Sequence, residues 1–173
     1  DSVFCNQASL TFVNRNLPVP QFQTKHENGK LIIATSLLTL TYTENSGAFT
    51  TKNLKIDYKD ASRTFSWKPG TKDNQNLKGT TRTLDGASGK FSFMGMKKIP
   101  LEDGIVSRNG WALIDDSEKP LFDNSEWPWV EARKTAEQDF YFFGYGSNYK
   151  KALFDFTQVA GKISLPPKYA FGV

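Results

Sequence analysis

The stretch Leu38-Thr39-Leu40-Thr41-Tyr42-Thr43 decides the fold class. In an extended chain successive side chains point to opposite faces, so Leu38, Leu40 and Tyr42 share one face and the three threonines share the other. A period of two predicts a half-buried strand. Leu54-Lys55-Ile56-Asp57-Tyr58 repeats the pattern, and Ser9-Leu10-Thr11-Phe12-Val13 gives a shorter version of it. Residues 30–35 form a short apolar run, and residues 63–68 bring Phe65 and Trp67 together. Residues 91–94, 110–114 and 139–143 are further strand candidates. Asn28-Gly29, Asn45-Ser46-Gly47, Lys68-Pro69-Gly70 and Asp85-Gly86 punctuate these segments. Asn-Gly between two strand-like runs signals a two-residue hairpin. Many short strands separated by such turns predict an antiparallel β-sandwich.

One helix is expected, over residues 148–160. Tyr149, Ala152, Leu153, Phe156 and Ala160 recur at helical spacing. Ser147 or Asn148 can cap its start and Gly161 can end it. Leu165-Pro166-Pro167 then forbids continuation and reads as an extended connector. The apolar run Tyr169-Ala170-Phe171-Gly172-Val173 reads as the beginning of another strand.

The chain has 173 residues, enough for one domain with a real core, since 38% of them are hydrophobic and 14% aromatic. The net charge of +4 is spread thinly, and no run of basic residues exceeds two. Nucleic-acid binders concentrate positive charge on one face or arm, so this distribution argues against that class. The longest apolar run is far short of the ~20 residues that cross a bilayer. The first residues lack a basic region followed by an apolar one, which argues against a signal peptide. One Cys and one His cannot form an intramolecular disulfide or supply the three or four ligands of a Cys/His zinc site. No metal and no cofactor is expected. Cys5 reads as a free thiol and His26 as a surface imidazole.

Four clusters could carry chemistry. Asp115-Asp116 is a carboxylate pair, but neighbours on a strand point apart, and Asp115-Asp116-Ser117 reads as a strand end with a turn. Gly144-Tyr145-Gly146 before the helix could hold a phosphate, yet no basic partner accompanies it, and the glycines read as a tight strand-to-helix turn. Trp127-Pro128-Trp129 is either a packed corner or a sugar-stacking platform, and packing is the usual fate of large aromatics. Residues 71–90 are a polar stretch carrying Arg82, Thr83 and Asp85, groups that hydrogen-bond polyols well.

The C-terminal third, from Asp139-Phe140-Tyr141-Phe142-Phe143-Gly144-Tyr145-Gly146 through Leu165-Pro166-Pro167 to Val173, resembles a junction in glycoside hydrolase family 31, the α-glucosidases and α-xylosidases. In that family a strand, a glycine turn, a helix ending in Gly and a Leu-Pro-Pro connector lead into a (β/α)8 catalytic barrel. Ser107-Arg108-Asn109-Gly110-Trp111-Ala112-Leu113-Ile114-Asp115-Asp116-Ser117 is similar to the family's N-terminal domain, as are residues 10–20 and 76–86. The resemblance implies a galactose-mutarotase-like β-sandwich over residues 1–146, and a helix and connector over 147–173 that lead to a barrel absent from this chain. It implies truncation at both ends. Family members are retaining hydrolases of α-linked glycosides whose two catalytic aspartates come from the barrel, so no residue here is expected to be catalytic. The domain's implied role is to brace its own barrel and to supply a loop to the sugar site. Residues 79–86 resemble that loop, with Asp85 facing the sugar and Arg82 and Thr83 beside it. This chain carries Asn76-Leu77-Lys78-Gly79-Thr80 where better-known members carry Gly-Leu-Gly-Glu. The implied ligand is an α-linked oligosaccharide or glycoside bound in the parent. Without the barrel, Tyr169, Phe171 and Val173 are expected to form an apolar patch that favours self-association. The alternative is a free-standing carbohydrate-binding β-sandwich with Trp127 and Trp129 as its platform.

Overall fold

A computed structural model describes residues 6–61, 63–78, 101–163 and 166–171. The strand read first is present with the expected bounds, Leu38–Thr43 (β3). It lies at the centre of a five-stranded antiparallel meander with β1 (Gln23–Glu27), β2 (Lys30–Ala34), β4 (Leu54–Lys59) and β5 (Thr64–Trp67), in the order β1-β2-β3-β4-β5. Asn28 and Gly29 join β1 to β2 with φ of 50° and 70°. Positive φ at both central positions is what a type I′ hairpin requires, and Asn-Gly supplies it at low cost.

The register places the apolar residues on one face. Leu31 lies opposite Tyr42, Ile33 opposite Leu40, Leu40 opposite Ile56, and Ile56 opposite Trp67. Lys55 and Asp57 face the other way and form an ion pair at 2.8 Å. The apolar face packs on an antiparallel pair made by β6 (Trp111–Asp115) and β9 (Phe140–Gly144). Leu54, Ile56, Tyr58, Trp67 and Trp111 are buried there, with Leu113 and Phe142 packed against them. Each such side chain contributes roughly 1.5–3 kcal/mol by leaving water, so this interface dominates the stability. Towards β1 the cover runs out: β1 is exposed throughout. A cavity of about 720 Å³ opens there, lined among others by Leu31, Ile33, Leu40, Tyr42, Phe140 and Tyr141.

The opposite face of β6 and β9 carries the helix α1 (Tyr149–Ala160). Ala112, Tyr145 and Ala152 are buried between them. Asn148 caps the helix by accepting from the Lys151 amide at 3.2 Å, and Gly161 ends it at φ 80°. The glycines at 144 and 146 serve the turn as expected. A Cβ at Gly144 would meet the Tyr58 ring at 2.8 Å, and one at Gly146 would run into the Asp60 carboxylate. A short pair, β7 (Leu121–Phe122) and β8 (Val130–Glu131), completes the described strands.

Two expectations differ from what is observed. Residues 9–13 do not form a strand, apart from one bridge between Ser9 and Leu121. The Ser9 hydroxyl accepts from the Thr11 and Phe12 amides at 3.1 and 2.9 Å, which curls the segment. Serine offers the backbone this local alternative to a ladder. Phe12 is then fully buried and stacks on Tyr141 with 3.5 Å between ring centroids. The apolar terminal run begins as a 3₁₀ helix, Lys168–Phe171, rather than a strand. A strand there would need a neighbour for its backbone groups, and among the described residues it has none. Tyr169 is exposed as expected, while Gly172 and Val173 lie outside the described residues. Among the described residues, the antiparallel sheets and one α-helix bear out a mostly β chain.

Candidate functional site

Arg82, Thr83 and Asp85 lie outside the described residues, as do Cys5 and the strand candidate 91–94. The two stems from which residues 79–100 depart are described. Leu77 donates its amide to Val106 at 2.9 Å, and Arg108 donates to Gln75 at 3.1 Å, so the stems run side by side. The Asn76 side chain closes a two-way bond with the Gly104 backbone, donating to its carbonyl and accepting from its amide, both at 2.9 Å. Lys78 and Asp103 pair across the mouth.

Asp73 organises the base of these stems. One carboxylate oxygen accepts from the Ser107 hydroxyl at 2.7 Å, the Asn109 amide group at 2.8 Å and the Gln75 backbone at 3.1 Å. The other accepts from Asn76 at 3.0 Å. Burial opposes ionisation of Asp73, but these bonds outweigh it and hold its pKa below the ordinary 3.8. Tyr145 pins the same segment from below, its hydroxyl accepting from the Ser107 amide at 2.6 Å. Burial pushes the Tyr145 hydroxyl up to about 12, so it stays protonated and can donate to the Ile105 carbonyl at 3.0 Å.

The Asp73 geometry has a pH consequence. A carboxyl whose folded pKa is depressed adds stability that is full above the unfolded value and drains away as pH falls through the folded one. Asp73→Asn keeps one acceptor oxygen but turns an NH2 group against the Asn76 amide. The variant is expected to be less stable at pH 6, with the gap to the parent chain closing below about pH 3.8. Urea midpoints at pH 6, 4 and 2.5 measure it. An equal gap at all three would deny the carboxylate its role.

The expected packing of Trp127 and Trp129 is overturned, for they are 81% and 75% exposed. The reason is local. The seven residues 123–129 form the loop of the β7–β8 hairpin, and the two rings stand at its tip outside the core clusters of the described residues. Asp123 closes that loop on itself: its amide donates to the Trp129 carbonyl at 2.9 Å, and its carboxylate accepts from the Trp129 amide at 2.9 Å. The same oxygen accepts from the Ser125 amide at 3.2 Å, with the Ser125 hydroxyl 2.6 Å away. The Ser125 and Trp129 bonds hold the Asp123 pKa below its ordinary value. The loop therefore has a fixed base and presents two indoles to solvent.

Asp115 and Asp116 diverge as expected. Asp115 is exposed and accepts from the Ser117 amide at 3.0 Å, ending the strand. Asp116 is fully buried, which sequence reasoning did not find. Arg133 reaches it at 3.2 Å and Asp139 at 2.9 Å through one guanidinium nitrogen, which also donates to the Asp116 carbonyl at 2.9 Å. The only sequence signal was a charged residue beside the expected strand 139–143 with no apolar face to share. His26 sits on exposed β1 beside Glu44 at 2.7 Å.

A scan of the chain against protein-family models matches no family, and a search of curated proteins returns no significant match.

Proposed function

We propose that this chain is the N-terminal domain of a family 31 α-glycosidase, a galactose-mutarotase-like β-sandwich that performs no catalysis itself. Its role is to brace the catalytic barrel and to supply residues 79–86 to the sugar site. In this reading Asp85 accepts sugar hydroxyls while Arg82 and Thr83 flank it. The parent hydrolyses α-linked glucosides with retention, a reaction that needs two carboxyls ~5–5.5 Å apart across the scissile bond, both from the barrel.

The observation that carries the reading is one contiguous unit. Strand β9 passes through a glycine turn into α1, the helix ends at Gly161, and Pro166-Pro167 follow it with no regular structure. That order follows the family's junction through the strand, glycine turn, helix and terminal glycine, whereas residues 168–171 form a 3₁₀ helix where the family has a strand. The hydrogen-bonded stems around Asp73 and Asn76 support the loop assignment, because a loop that positions a carboxylate against a sugar needs a rigid base. The half-open apolar face beside β2 and β3 supports a domain that shares its core with further chain.

The parent tests both parts. An open reading frame continuing past Val173 into alternating strands and helices, with two candidate aspartates, is the expected result; a stop codon there rejects the hydrolase. In the parent, Asp85→Ala is expected to lower kcat/KM for an aryl α-glucoside by about 10–100-fold, since a charged hydrogen bond to substrate is worth roughly 1.5–3 kcal/mol. Unchanged kinetics would remove the loop from the sugar site.

A further inference from the structure

The four tryptophans divide into two pairs. Trp67 and Trp111 are buried in the main core, whereas Trp127 and Trp129 stand in solvent on one loop. We propose that the loop 123–129 is a carbohydrate-stacking site, in which Trp127 and Trp129 take the apolar faces of a pyranose oligosaccharide. The site makes no use of residues 79–86, and the proposal does not depend on the family assignment.

Three observations favour this ligand. The first is rigidity without cover. Asp123 ties both backbone groups of Trp129, the Ser125 hydroxyl lies 2.7 Å from the Trp127 carbonyl, and Pro128 fixes the chain between the rings. Pre-ordering the backbone that carries two large side chains reduces the entropy lost when a ligand binds. The second is chemistry. A pyranose offers C–H groups on its face and hydroxyls on its rim, so it needs an apolar plate flanked by hydrogen-bonding groups. Asn124 and Glu126, in the same loop, are exposed and make no hydrogen bond among the described residues, so their side chains are available to sugar hydroxyls. Aromatic platforms with a few placed polar groups are how small-molecule sites combine affinity with orientation.

The third is size and charge. Two indoles can bury about 300–500 Å² between them. A stable protein partner needs about 800 Å² on each side, so the area suits a short oligosaccharide. Asp123 and Glu126 lie in the loop and no basic residue does. Acidic flanks repel anionic lipid headgroups and nucleic-acid phosphates, whereas a neutral sugar is indifferent to them.

The test uses the 173-residue chain and the indole N–H signals of its proton–nitrogen NMR spectrum. Maltoheptaose and cellohexaose are titrated separately. The expected result is a saturable shift of the Trp127 and Trp129 signals with at least one sugar, with Trp67 and Trp111 unmoved and a Kd on the order of millimolar. Trp127→Ala and Trp129→Ala should each weaken binding at least tenfold and leave the melting temperature unchanged, because neither ring is packed. Asp123→Ala keeps both rings and should also weaken binding, since it releases the loop. No shift with either sugar overturns the proposal. So does a sugar response that survives both tryptophan substitutions but is lost in Asp85→Ala, which assigns the sugar to residues 79–86 instead. A response to phosphatidylserine vesicles without one to sugar overturns it in favour of a lipid surface.

Discussion

Arg133→Ala is expected to lower the unfolding free energy by about 3–5 kcal/mol, the range for breaking a buried ion pair by removing one partner. Arg133 has only 8% of its side chain exposed, against 0% for Asp116 and 14% for Asp139. One guanidinium therefore serves two carboxylates largely out of water. It also holds backbone, with its Nε donating to the Lys119 carbonyl at 3.1 Å. The Asp116 Oδ1 atom already lacks a partner among the described residues, so removing Arg133 leaves that carboxylate buried with little to stabilise its charge. The damage should localise. Arg133 follows β8, Asp116 follows β6, and Asp139 precedes β9, so the cluster ties three strand ends together. Asp116→Asn added to Arg133→Ala removes the stranded charge and should recover part of the loss, a coupling that an independent pair of sites would lack. Urea unfolding of both variants measures this. A loss below about 1 kcal/mol would mean the cluster behaves as a surface ion pair.

Gly110→Ala is expected to cost about 2–5 kcal/mol, combining a left-handed penalty of ~1–2 with overpacking of ~1–3. Gly110 has φ 76°, and an added Cβ would lie 2.7 Å from the Gly146 Cα and 2.8 Å from its carbonyl oxygen. Backbone cannot swing aside as a flexible side chain can. The approach is also hydrogen-bonded, for the Gly110 carbonyl accepts from the amides of Tyr145 and Gly146, both at 2.9 Å. Moving the chain apart would loosen those bonds and the turn that starts α1. Gly47 provides the control: its φ is 77°, but an added Cβ meets nothing within 4 Å. Gly47→Ala should therefore lose only the conformational part, ~1–2 kcal/mol. Thermal melts of the two variants compare them directly, and equal losses would refute the backbone-contact account.

The strands that pattern revealed share a physical feature. In β3 and β4 one face is apolar and the other polar, and only one register buries the apolar set. The helix was legible for a similar reason, since its cap, apolar spacing and terminal glycine agree with one another. Strands β7 and β8 were missed because two residues each carry no period. Residues 9–13 were misread because alternation over five residues does not reveal a serine that captures the amide three positions on. The candidate site was less legible than the fold. Asn76, Asp73, Ser107 and Tyr145 come together from segments up to 72 positions apart, and no spacing rule connects them. Trp127 and Trp129 show the limit most plainly: an aromatic residue carries the same transfer energy wherever it stands, so composition favoured burial and the hairpin decided otherwise.

Sequence by itself determined what depends on near neighbours. The Asn28-Gly29 turn, the alternation in β3 and β4, and the helix capped by Asn148 and ended at Gly161 all rest on interactions spanning a few residues, where chain geometry leaves little choice. Only the tertiary structure decided which charges are buried, which glycines meet backbone and which tryptophans face water. Those outcomes depend on how distant segments share space, and the energy of a charge or an indole changes several-fold between water and a packed interior.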